Sequence, residues 1–137
     1  MTDMVLPSET NPLNNLFGGE LLARMARAAS IAARRHRRRI TVTASVNHVA
    51  FNRPVPLGSV VTVEAAVSRA FNTAMEVYID VWMEDRVSGA RLKANEAIYT
   101  FVAVDESGAP TAVPELLPET DLEKSRYDAA LRRKQLS

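Results

Sequence analysis

Hydrophobic and polar positions alternate in twos along most of this chain, and one stretch departs from that rhythm. Ile40, Val42, Ala44 and Val46 alternate with Thr41, Thr43, Ser45 and Asn47 up to Phe51, the period of a half-buried strand. Val61, Val63, Ala65 and Val67 within residues 59–71 repeat the pattern, as do Met75, Val77, Ile79, Val81 and Met83 within 73–84. Two further strands follow, with Asn72 in or beside the link between them. Val87-Ser88-Gly89 then turns the chain into a fourth strand over about 91–104. The departure comes earlier. Leu22, Met25, Ala29, Ala32 and Ala33 recur at three- and four-residue steps, which marks one buried helix face. Ala23, Ala26 and Ala28 keep the rest of that helix narrow. A single long helix and strands without helical crossovers predict an antiparallel sheet curled around the helix.

The ends read differently. Met4-Val5-Leu6 before Pro7 is at most a short strand, and 7–13 is an irregular loop with two prolines. Pro114 and Pro118 lead to a charged stretch over 120–136 whose apolar stripe, Leu122, Ala129, Ala130 and Leu131, is weak. The predicted organisation is one domain over 1–114 and a C-terminal tail over 115–137, an exposed helix that packs on a neighbour if on anything. A long open sheet edge invites pairing, so a dimer joined edge to edge is expected.

Composition narrows the function classes. The 137 residues suffice for one core and no second module of useful size. Seventeen basic and 16 acidic residues leave a net charge of +1, which gives no global attraction to nucleic acid or to an anionic membrane. The absence of cysteine removes disulfides, thiolate metal sites and a cysteine nucleophile. No apolar run approaches the roughly 20 residues of a membrane span, and the start lacks a signal-peptide pattern, so a cytoplasmic protein is expected.

Two features carry candidate chemistry. Gly18 and Gly19 leave the first-turn N–H groups of the helix uncovered, and those donors have no partner within the helix. A ligand carbonyl or oxyanion fits there, although a tight turn or a close helix-to-sheet contact also explains two glycines. At the other end, Arg34, Arg35, Arg37, Arg38 and Arg39 surround His36. They complement the helix dipole as a solvated end, or they grip phosphate oxygens.

Asn11, Asn15-Leu16-Phe17-Gly18-Gly19, the alanine-rich helix, Phe51-Asn52-Arg53-Pro54-Val55 with Gly58-Ser59-Val60-Val61, Met75-Glu76-Val77 with Val81-Trp82, and Asn95-Glu96-Ala97 with Phe101 to Asp105 together resemble the hotdog-fold acyl-CoA thioesterases. The branch is that of brain acyl-CoA hydrolase and its small bacterial relatives. The resemblance covers about residues 5–114, and its specificity lies in the order and spacing of the pieces. It implies an α+β hotdog fold, a sheet wrapped around one central helix, in a dimer with shared active sites, assembled further as a trimer of dimers. The implied reaction is hydrolysis of fatty acyl-CoA to fatty acid and coenzyme A, with no cofactor or metal beyond the substrate.

By the same resemblance, Gly19 offers its N–H to the thioester oxygen with Gly18 beside it, and Asn15 stands near the substrate. The pantetheine arm is expected along Asn47, His48 and Phe51 and along Asn72, Thr73, Ala74 and Met75. Arg53 and the 34–39 run are candidates for the nucleotide phosphates. Alternation by itself makes Asn47 or His48 an ordinary exposed polar residue, and Phe51, Phe71 and Trp82 also suit a core or an interface. Two helical turns beyond Gly19 the family carries an Asp that acts from the opposite protomer, and this sequence has Ala26. A methyl group neither takes a proton from water nor attacks a thioester. Glu20 and Glu96 do not match the missing position. The chain therefore reads as an impaired thioesterase, natural or deliberately substituted to trap substrate. The alternative is a non-catalytic acyl-CoA-binding sensor or scaffold. A hydratase on the same fold needs a positioned His and carboxylate, which His36 and His48 do not supply.

Overall fold

The two-residue periodicity becomes a five-stranded sheet. In chain order the elements are β1 (Thr2–Met4), a 3-10 turn (Pro7–Glu9), α1 (Gly18–Arg37), β2 (Thr41–Phe51), β3 (Val60–Phe71), β4 (Ala74–Glu84), β5 (Arg91–Ala103) and α2 (Asp121–Leu136). The computed structural model describes every residue except Phe17, Arg38, Arg39, Arg86 and Ser137, and its description leaves out the side chains of Arg37, Asn47, His48, Phe51 and Leu136. The strands run in the order β1-β3-β4-β5-β2, and each neighbouring pair is antiparallel. α1 lies against β2, β3, β4 and β5, so the sheet curls around it as a hotdog fold requires.

Small residues set the distance between helix and sheet. Ala28, Ala29 and Ala33 are buried beside Leu21 and Met25, facing Met75, Val77, Ile79 and Val81 of β4 and Ala97, Tyr99, Phe101 and Ala103 of β5. One expected core position moves. Leu22 is 37% exposed, because the buried stripe runs through Leu21, four residues before Met25, and position 22 turns out of it.

The inner face also buries one charge. Arg24 is 2% exposed, and its guanidinium pairs with Asp3 and with both carboxylate oxygens of Glu9 at 2.9 and 3.0 Å. The Leu6 N–H, which donates to Glu9 Oε1 at 2.9 Å, and then Arg24 hold the Glu9 carboxyl below its usual range despite burial. This one side chain ties β1 and the 3-10 turn to the middle of α1.

β2 is an edge strand, and its expected half-burial is not found within one chain. Ile40, just before it, and Val42 and Val46 within it are 52%, 47% and 47% exposed. Apolar side chains on an unpaired edge of 11 residues mark a surface suited to a second copy.

The tail departs from expectation too, since α2 packs back on the outer face of its own sheet. Thr120 and Glu123 form a reciprocal capping box at 2.9 and 3.0 Å. Arg133 forks onto Glu76 at 2.6 and 3.0 Å, Arg126 reaches Asp80 at 2.9 Å, and Arg69 lies 3.7 Å from the Tyr127 ring centre. Charged contacts and the buried Ala130 thus replace an apolar stripe. The hydrogen bond to Glu76 holds the Arg133 guanidinium above its ordinary range.

Removing Arg24 strands Glu9 in a partly buried place, so Arg24→Ala should cost about 3 kcal/mol of stability. Arg24→Met, which keeps the packing volume, should cost less. Urea denaturation of the two variants checks the order.

Candidate active site at the start of the central helix

Two loops are clamped together before α1 begins. Asn11 Oδ1 accepts from the Leu13 and Asn15 amides at 3.0 and 3.2 Å, and the Asn11 N–H donates to the Asn15 carbonyl at 2.8 Å. Asn14 has φ 59°, a left-handed conformation that Asn tolerates. The Leu16 N–H then donates to the Val55 carbonyl at 2.7 Å, and the Leu57 N–H to the Asn14 carbonyl at 2.8 Å. The 52–57 turn is thereby fixed beside the first turn of the helix.

Between them lies an open cavity of about 210 Å³ bordered by Asn15, Gly18, Leu21, Arg53, Val55 and Asn95. A Cβ on Gly18 would meet nothing within 4 Å, and Gly18 is not among the glycines with positive φ. Neither turn geometry nor packing therefore demands glycine there within this chain. What its absent side chain leaves open is access to the first-turn N–H groups. The described lining contains one cation, Arg53, and no acid. Its chemistry is hydrogen-bond donation and binding, without a base.

The remaining expected site residues lie elsewhere in one chain. Ala26 is partly buried at the margin of the core, about 10 Å along the axis from Gly19 at 1.5 Å per residue. Asn72 and Thr73 form the β3–β4 turn, Ala74 opens β4, and Met75 is fully buried. Phe71↔Ala74 and Ala74↔Val102 put this hairpin at the end of the sheet opposite Asn95. The expected roles of the Asn47, His48 and Phe51 side chains lie outside the described residues, as do Phe17, Arg38 and Arg39. Arg34 and Arg35 are exposed, and His36 Nε2 lies 2.7 Å from the Pro114 carbonyl. Glu96 is engaged by the Tyr78 hydroxyl at 2.9 Å and Lys93 at 2.8 Å, away from the cavity. Among the described residues no group of His, Cys, Asp and Glu is arranged to hold a metal. No described helix is long and apolar enough to cross a membrane.

Comparison with known proteins adds the family. The thioesterase superfamily model matches residues 13–90. The chain belongs to the thioesterase superfamily. An uncharacterised acyl-CoA thioester hydrolase of Bacillus subtilis, YkhA, is 40% identical over 96% of this chain and 77% of its own length. The acyl-CoA thioester hydrolase YciA of Escherichia coli is 35% identical over 81% of this chain and 86% of its own. Among solved structures, an apo-hexameric acyl-CoA thioesterase superposes with a TM-score of 0.95 at 38% identity, covering 98% of this chain and 86% of that one. A Staphylococcus aureus acyl-CoA hydrolase bound to butyryl-CoA, CoA and CoA disulfide gives 0.94 at 36%, covering 98% and 82%.

For this thioesterase-superfamily chain, the open space at Gly18 separates fold from ligand. Gly18→Ala should leave stability unchanged or raise it by under about 1 kcal/mol. Affinity for a ligand seated on the helix N-terminus should fall. Thermal unfolding alongside titration with coenzyme A and acyl-CoA reads both effects.

Proposed function

We propose that this chain is an acyl-CoA thioesterase whose binding and polarising half is intact and whose hydrolytic carboxylate is replaced by Ala26. The observation that carries the reading is the donor-lined cavity without an acid at the start of α1. A thioester carbonyl seated there points its oxygen at the Gly18–Gly19 end of the helix, where preorganised donors stabilise developing negative charge. Asn15, Arg53 and Gly18 border the same cavity, and the hydrolase names of the relatives agree with a thioester ligand.

Spacing supports Ala26 as the replaced position. The Staphylococcus aureus hydrolase has been solved with an Asn, an Asp fifteen residues later and a Thr seventeen residues after that each changed singly to alanine. The same spacing in this chain selects Asn11, Ala26 and Thr43, two identities out of three. It also brings Asn11, another residue of the cavity lining, beside Asn15 as a candidate for the polar residue near the substrate.

Position 26 and the cavity of one chain stand too far apart to act on one carbonyl. The site is therefore completed by a second copy, and the apolar edge at Val42 and Val46 supplies a surface for it. A dimer follows from this reading, and further assembly as a trimer of dimers is in keeping with the hexameric state of the neighbours. Within such an assembly Asn72, Thr73, Arg34 and Arg35 reach substrate only from a neighbouring protomer. The second reading, a non-catalytic acyl-CoA binder, is favoured by the same missing acid.

Ala26→Asp decides between them. It should raise the rate of CoA release from acyl-CoA by roughly two to four orders of magnitude, with affinity little changed, because the carboxylate acts in the transition state. Should the Asp form fold, assemble and bind acyl-CoA yet release CoA no faster, the binder reading replaces the enzyme. Sedimentation should show at least a dimer, and a monomer that binds acyl-CoA fully would exclude the shared site.

A further inference from the structure

Asn95 is the one residue of the cavity lining whose chemistry the fold leaves unexplained. It is completely buried, and neither Nδ2 nor Oδ1 has a hydrogen-bond partner among the described residues. A carboxamide desolvated in this way destabilises the fold, and buried polar groups in native interiors are nearly always hydrogen-bonded.

Its position is built by a bulge. Val81 pairs with Asn95 and Trp82 with Lys93, which leaves Ala94 as an extra residue in β5. Bulges re-aim side chains and are frequent beside active sites. The carbonyl of that extra residue accepts from both the Asn52 and Arg53 amides at 3.0 Å, so the bulge and the 52–57 wall of the cavity are held as one piece. Asn95 borders this cavity together with Gly18, and both polar atoms of its carboxamide are buried.

We propose that Asn95 is a further catalytic residue of this site, its Nδ2 donating to the thioester carbonyl oxygen alongside the first-turn N–H of α1 and its Oδ1 accepting from the attacking water. The inference rests on the thioester reading of the cavity. Two unpaired atoms call for one acceptor and one donor on the ligand side, and a thioester with its water supplies both. In the step, the water oxygen bonds to the carbonyl carbon and the C–S bond breaks. The departing thiolate takes up a proton from that water. Asn95 is neutral and takes no proton; it fixes the direction of both partners.

The chain with Ala26 makes the contact observable, because bound substrate is turned over slowly. Acyl-CoA carrying ¹³C at the thioester carbonyl is bound to the chain and its carbonyl stretch read by infrared difference spectroscopy. The band should lie below its solution value, and Asn95→Leu should move it back toward that value. In the Ala26→Asp form, Asn95→Leu should lower kcat on the order of 10²-fold, as loss of one oxyanion donor does, with KM changed far less. The same substitution should raise the melting temperature, since it removes an unsatisfied buried amide. If leucine does not fit, Asn95→Ala should give the same spectral and kinetic losses. A more stable variant with unchanged band and kcat overturns the proposal and makes Asn95 structural. Weaker CoA binding with an unmoved thioester band also overturns it, moving the contact to the pantetheine amides. Failure of the unsubstituted chain to bind acyl-CoA at all is a separate result that removes the thioester reading itself.

Discussion

A helix wrapped by a sheet can meet a ligand only at places the wrapping leaves open, and this constraint orders the molecule. Ala28, Ala29 and Ala33 let α1 lie close to β4 and β5, and the sheet covers its flank. Along that flank every peptide group is committed to the helix ladder. At the first turn the N–H groups are not, and there the chain places two clamped loops, a glycine that packing does not require and a cavity. The ion pairs of Arg24 serve the same end, since they fix the segment that leads from β1 into those loops.

The two sheet edges are treated differently. β3 is capped by β1, a strand of three residues, and Arg24 holds that strand down through Asp3. β2 runs 11 residues with no described strand of its own chain beyond it and exposes Val42 and Val46. The first arrangement closes an edge, and the second leaves one suited to pairing. The outer face is closed by α2 through Glu76 and Asp80, two carboxylates that the core-facing pattern of β4 puts outside and that Arg133 and Arg126 neutralise.

Much of this was legible in the residues because β3, β4 and β5 are each buried on one face by their own chain. Their alternation carries the signal directly, and their ends fall within a residue of the expected ones. The charged stretch expected over 120–136 likewise coincides with α2. The miss at β2 has a simple cause, which is that periodicity reports that a face is apolar without saying what covers it. β2 reads as half-buried, yet no described residue of its own chain covers Val42 and Val46. α2 has too weak a stripe to predict its docking, since charges and a cation–π contact hold it. Asn95 was visible only as part of a familiar run of residues. The break in alternation at Asn95-Glu96 is the trace of the bulge, and one irregular step in a strand says nothing about where the re-aimed side chain points.

On the proposed reading, binding and turnover are separable in this fold. On that reading, the groups assigned to hold and polarise a carbonyl are neutral donors set by backbone geometry: the start of α1, the bulge in β5 and the loop between them. None depends on what stands at position 26, two turns along the helix and in another part of the core margin. A carboxylate at that partly buried place would carry a desolvation cost and a raised pKa, whereas alanine is the best helix former and carries neither. Alanine at position 26 therefore suits the helix and, on the proposed reading, leaves the donor array in place. The same logic runs in reverse for Asn95, where an apolar side chain would stabilise the strand and the carboxamide is retained at a cost to it. Stability favours alanine at the first position and opposes asparagine at the second, so under the proposal only the second is accounted for by what the cavity binds.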